Sequence, residues 1–234
     1  MKPTEIASLV RSKTRTNATT FTDAQILTFM NPIMDSMSEE IAKMNENLLG
    51  ITRQASLVAD QRNYAIAEDV ISLKYVNAKI NGTDWTELDH IDISALGIPL
   101  QESNIRSHFT GHASAYDLLN REIYLFSSEA IIDVTNGLEY YAIIYPEHPA
   151  NLTGTDDLSK DSSSTTRGFP RQFHTLLCTR IIIEYKQSRD KPIPLVGNET
   201  TFDKDFKSKL SAIRNLNTQN SFIASLPPET GEDY

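Results

Sequence analysis

Few residues in this chain are spaced for chemistry. His108 and His112 stand four apart, the separation at which one helix face offers two imidazoles to a metal. Thr110 and Gly111 lie between them and argue for loop, and no paired cysteine or third ligand follows. Asp156, Asp157 and Asp161 have the hard oxygens a divalent cation needs, but the pattern of a calcium loop and its closing glutamate is missing. These carboxylates read as a solvated loop. Cys178 is the single cysteine, so no internal disulfide forms. With no base marked nearby it reads as a small buried hydrophobe, not a nucleophile. No G-x-G-x-x-G, no Walker-type lysine loop and no G-x-S-x-G elbow occur. Four Asn-x-Ser/Thr sites (Asn17, Asn81, Asn151, Asn198) matter only on a secreted chain. No catalytic set assembles from these residues. The expectation is a protein that is not an enzyme and holds no cofactor and no metal.

Composition narrows the class further. The 234 residues are 39% hydrophobic, enough for a core without disulfides or metal. Lys+Arg is 22 against 31 Asp+Glu, a net charge of −9. An acidic chain is poorly suited to gripping phosphate over a broad surface. No apolar run of about 18 residues is present, so no membrane span is expected. The opening residues MKPTEIASLVRSKTR lack an apolar signal core, which disfavours secretion by that route.

The elements that would position these residues follow from periodicity. A short basic helix is expected over 4–13, with Ile6, Leu9 and Val10 on one side. The next helix, 22–47, starts with two devices at once. Thr22 and Gln25 have capping-box spacing, and Phe21 and Ile26 stand where a hydrophobic staple would. Leu27, Met30, Met34, Met37, Ile41 and Met44 then recur at steps of three and four. This methionine stripe reads first as core and second as a face for a partner. Pro32 predicts a kink or break within it. Residues 50–145 switch to period two, with a bulge between Tyr75 and Val76, a hairpin turn at Asn81-Gly82, a helical turn from Asp92 to Leu96 closed at Gly97, and strands at 121–127 and 138–145. A turn is expected at Asn136-Gly137. Residues 151–168 are polar and repetitive and read as a mobile loop. Helices return at 170–188 and 200–217, with Pro192 and Pro194 between them. Residues 218–234 form an extended tail. The fold class is α+β: a helical core from the N- and C-terminal helices with an inserted antiparallel β segment.

One family has this order of elements. The stretch RTNATTFTDAQILTFMNPIMDSMSEEI resembles the opening of the head-to-tail connector (adaptor) proteins of tailed bacteriophages, where a short helix leads through a polar linker into a phenylalanine-capped long helix. The stretch LVADQRNYAIAEDVISLKYVNAKINGTDWTELD is similar to that family's next element, and Gln61, Tyr64, Ile66, Asp69, Val70, Asn81 and Gly82 match its pattern. Ala67 stands where the family often has proline, and Pro32 is unusual for it. The similarity covers most of the chain as a pattern of elements and is strongest over Arg15 to Asp89. It implies a ring subunit, usually one of twelve, seated beneath the portal protein. Such a ring assembles in the host cytoplasm, is carried in the virion and binds a downstream tail or neck protein. DNA passes through its channel without specific binding, and roughly −108 charges on twelve copies would keep that wall from holding it. The resemblance also implies that the C-terminal segment clasps the portal, through Phe222, Ile223 and Leu226. Two other readings stand beside it. One is another virion ring or tail-completion protein. The other is a cellular binding module that uses Trp85, Tyr140, Tyr141 and Tyr145 as exposed aromatics.

Overall fold

The computed structural model describes residues 1–97, 99–189 and 201–213. They form a mixed α/β chain of two compact units: residues 1–49 with those from 146 onward, and Gly50–Tyr145. The expected tail 218–234 lies outside the described residues, as do Pro192 and Pro194.

In the first unit, α1 (Pro3–Thr14) opens with proline, whose missing N–H costs nothing at that position. α2 (Asp23–Met44) begins as its sequence dictates. Gln25 N–H donates to Thr22 Oγ at 3.3 Å, and Thr22 N–H donates back to Gln25 Oε1 at 3.0 Å. The staple residues Phe21 and Ile26 are both fully buried. The expected break at Pro32 is absent, since α2 runs unbroken through it. Pro32 and Thr28 are both exposed, so water can reach the Thr28 carbonyl that the proline ring leaves unpaired. The helix stops at Met44, short of 47, and a 3₁₀ turn at Glu46–Leu48 follows.

A second 3₁₀ turn, Arg171–Phe173, leads into α5 (His174–Gln187), and residues 201–213 form α6, the described part of the helix expected over 200–217. α5 packs on both α1 and α2. Its Tyr185 ring stacks on Phe21 at 3.9 Å, so the residue that staples α2 also makes its seam with α5. Arg189 covers the other end of that seam. Its guanidinium lies 5.0 Å from the Tyr185 ring and donates to the Thr20 carbonyl at 2.9 Å. α6 meets the turn before α5 through Phe206 and Phe173, edge to face at 5.6 Å.

Residues 151–168 contain no helix or strand, yet their path is tied down at several points. Leu152 and Leu158 are buried. Leu158 N–H donates to the Met1 carbonyl at 3.0 Å, and Phe169 N–H to the Leu158 carbonyl at 2.8 Å. The polar composition that reads as a mobile loop conceals these two apolar anchors.

The second unit is a seven-stranded sheet in the order β1 (Gly50–Leu57), β7 (Val134–Ile144), β3 (Val70–Ala78), β4 (Thr86–His90), β5 (Ala115–Leu119), β6 (Glu122–Phe126), β2 (Asn63–Ala65). It curls so that all seven strands contribute to one core, from Ile51 and Tyr64 at its two edges to Leu138 and Ala142 near its middle. The expected antiparallel arrangement fails at one joint. β4 and β5 run parallel, with Asp89 opposite Ala115 and His90 opposite Tyr116. Between them the chain passes through α3 (Ile93–Leu96) and α4 (Glu102–His108), a connection long enough to bring it back to the same end. α3 is closed by Gly97 at φ 64°, as expected, and it starts one residue later than expected because Asp92 serves as its N-cap.

Two register details differ from expectation. The bulge in β3 falls at Lys74, because Leu73 faces Ala142 while Tyr75 faces Tyr141. Asn136-Gly137 is not a turn before a strand. It lies inside β7, where Asn136 at φ 51° absorbs a bulge against Ala55–Leu57 of β1. The α4 side of the sheet is held by Arg62, which is buried. Its guanidinium donates to both Glu102 carboxylate oxygens, at 2.5 and 2.8 Å, and to the carbonyls of Leu125 and Glu129 at 3.1 and 3.0 Å.

The first and last strands of this unit, β1 and β7, pair along most of their length, from Gly50 opposite Ile143 to Leu57 opposite Val134. Gly50 is required for close approach. A Cβ there would overlap the ring of Tyr141, itself stacked on Tyr75 at 5.6 Å. Gly50→Ala is therefore expected to lower stability by about 1–3 kcal/mol. The Gly50→Ala/Tyr141→Val double variant should recover much of that loss, measured by chemical denaturation. Equal losses in the single and double variants would show that the Tyr141 ring is not the cause.

Candidate partner-binding groove

The residues that first suggest chemistry do not come together. His108 ends α4 and His112 follows in a turn, with their rings 6.2 Å apart. Among the described residues no group of three His, Cys, Asp or Glu side chains is placed to hold a metal ion. Cys178 is buried in α5, and burial pushes its thiol up to about 11. The three aspartates go to three different partners. Asp156 takes Lys160 at 3.0 Å, Asp161 takes Arg167 at 2.6 Å, and Asp157 takes the Met1 ammonium at 2.7 Å. That ammonium and the Ser159 hydroxyl hold the Asp157 carboxyl well below the usual carboxylate range.

The aromatic residues divide as well. Tyr140 is buried in the sheet core, which corrects its reading as an exposed aromatic. Tyr141 and Tyr145 are half-buried. Trp85 is exposed, and the Lys79 ammonium lies 4.7 Å from its ring centroid. The portal anchors expected from the resemblance, Phe222, Ile223 and Leu226, lie outside the described residues.

What the helical unit does present is a groove of about 710 Å³. Phe29, Pro32, Ile33, Met37 and Met44 of α2 form one wall. Phe202, Phe206 and Leu210 of α6 form the other, and Arg180 and Glu184 of α5 close one side. Ile33, Met37, Phe206 and Leu210 make a nearly dry floor, while Met44 is 41% exposed at the rim. The charges at its mouth are of both signs. Arg180 and Glu184 pair with each other at 2.8 Å, and Glu40, Asp203 and Lys207 also line the groove. A trough lined by methionine and phenylalanine, with no convergent polar set, is suited to apolar side chains of a polypeptide.

The methionine stripe therefore serves two surfaces. Met30 and Met34 are fully buried in the core, while Met37 and Met44 line the groove. The sequence carries this signal as a second row, Phe29, Ile33, Met37 and Met44, rotated from the core row of Ile26, Met30, Met34 and Ile41. Reading one stripe merges the two.

No protein-family model matches this chain, and no curated protein matches it.

One titrating group in this unit has a stability consequence. His174 is buried, with Nε2 at 2.9 Å from the Phe169 carbonyl and Nδ1 at 2.6 Å from the Met1 nitrogen. Burial, chiefly, then the Met1 and Arg171 charges hold its pKa below the usual imidazole range, against the pull of the Phe169 carbonyl and Asp157. Above the ordinary value of about 6.5 the ring is neutral in both folded and unfolded chains. Below it the unfolded chain takes up a proton that the folded chain refuses, so stability falls as pH drops. Thermal unfolding between pH 7.5 and 5.5 should show this fall, and His174→Gln should flatten it. An unchanged slope in that variant would assign the effect to other groups.

Proposed function

We propose that this protein is a head-to-tail connector of a tailed bacteriophage. In this reading identical copies, twelve in the common arrangement, form a ring beneath the portal protein. The helices from the two ends of the chain form the body of each subunit, and the sheet is an insertion in it. The ring extends the DNA channel, whose acidic wall lets DNA pass without binding, and offers a surface to a tail or neck protein below. The chain assembles in the host cytoplasm and ends in the virion. Phe222, Ile223 and Leu226 are the anchors for the portal.

The observation that carries this reading is the apolar groove on α2. It sits on the stretch most similar to the connector family, Arg15 to Asp89, and its lining fits protein contact better than a small substrate. The ordered similarity of the remaining elements and the net charge of −9 support it.

Electron microscopy of the phage particles that carry this protein tests the proposal. A ring of it between portal and tail is the expected result. Finding it in infected-cell extracts but never in particles would overturn the proposal, and so would finding it attached to a host surface.

A further inference from the structure

The groove between α2 and α6 needs an occupant, because an open apolar trough of this size on a free subunit invites non-specific association. We propose that it seats the C-terminal segment of the same chain, with Phe222, Ile223 and Leu226 laid against Phe29, Met37 and Met44. Three features of the groove and the sequence point to that segment.

The first is reach. The segment comes after α6 in the sequence, and α6 forms one wall of the groove through Phe202, Phe206 and Leu210. The groove runs along α2 from Phe29 to Met44, about 22 Å at the rise of a helix. From residue 213 to Phe222 the chain can span up to about 30 Å, enough to enter the groove from either end. The second is composition. Phe222, Ile223 and Leu226 crowd into five residues, followed by Pro227-Pro228, which limits the freedom lost on docking. The third is lining. Met37 and Met44 are unbranched and adapt their shape to an incoming side chain, and Met44 stands 41% exposed with space in front of it.

The consequence bears on assembly, and here it rests on the connector reading. The side chains proposed to grip the portal are the ones seated in the subunit's own groove before it meets the portal. Portal binding then exchanges one apolar seat for another, and the free subunit hides its anchors until that exchange. The seat itself does not depend on what the partner is.

Cross-linking in the full chain tests the seat. Cysteines are placed by Met44→Cys together with Leu226→Cys, and, as a control on an exposed site of α1, by Lys13→Cys together with Leu226→Cys. The native Cys178 is buried with its thiol held protonated, so it takes little part. Under mild oxidation the groove pair should close a disulfide within one chain at least about tenfold faster than the control pair, as expected for groups held at high effective concentration. Adding Phe222→Ser and Ile223→Ser should remove that advantage, while circular dichroism confirms that each variant keeps the fold. Equal rates in the groove and control pairs would overturn the proposal. Disulfides that form chiefly between chains would overturn it too, and would give the groove to a neighbouring copy. Neither failure touches the proposed place of the ring in the particle, which electron microscopy decides separately.

Discussion

The sheet unit depends on the pairing of its own first and last strands. β1 and β7 lie side by side from Gly50 opposite Ile143, so the chain enters and leaves this unit about one strand spacing apart. For the helical unit, whose sequence is interrupted at Leu49 and resumed at Pro146, closing ends already held together costs little compared with closing a free loop of the same length. Gly50 makes this possible. It sits where the Tyr141 ring crosses the strand, and any larger residue would push the ring away at the point where entry and exit meet. Arg62 acts in the same way on the far side of the sheet. Its buried charge is satisfied by Glu102, the Ser127 hydroxyl and the backbone of β6 and the residues after it, which fixes α4 onto the strands it covers.

In the helical unit α5 has the comparable role. It is the element that meets α1, α2 and, through its leading turn, α6. The inner rows of α1 and α2 pack near it, with Ile6, Val10, Met30 and Met34 all fully buried. The outer row of α2 is left to line the groove. α2 thus carries two apolar rows, one turned to the core and one to the trough.

Much of this was legible from residue order, and the exceptions have physical causes. The capping box and staple at Phe21–Ile26 and the short helix closed by Gly97 are local, so their sequences specify them fully. β5 was not readable. It is joined to β6 by a two-residue turn, Asn120-Arg121, with both residues at positive φ and no glycine to mark it. Asn136-Gly137 carried a turn signature but serves as a bulge, because the left-handed conformation it favours suits either use. The parallel joint between β4 and β5 depends on where a long crossover returns, which no local pattern encodes. The groove was visible only as a second row of apolar residues beside the core row. The expected portal anchors Phe222, Ile223 and Leu226 lie outside the described residues, and the resemblance alone points to them.

The central claim is that this chain is built to assemble through protein contacts on its helical unit. Native mass measurement of the purified protein, alone and mixed with a candidate portal protein, tests that most directly. The account predicts that the mixture gives a portal-bound ring, with twelve copies of the 26.3 kDa chain adding about 316 kDa in one step. A protein that never associates with the portal, at concentrations where it remains folded, would contradict the account.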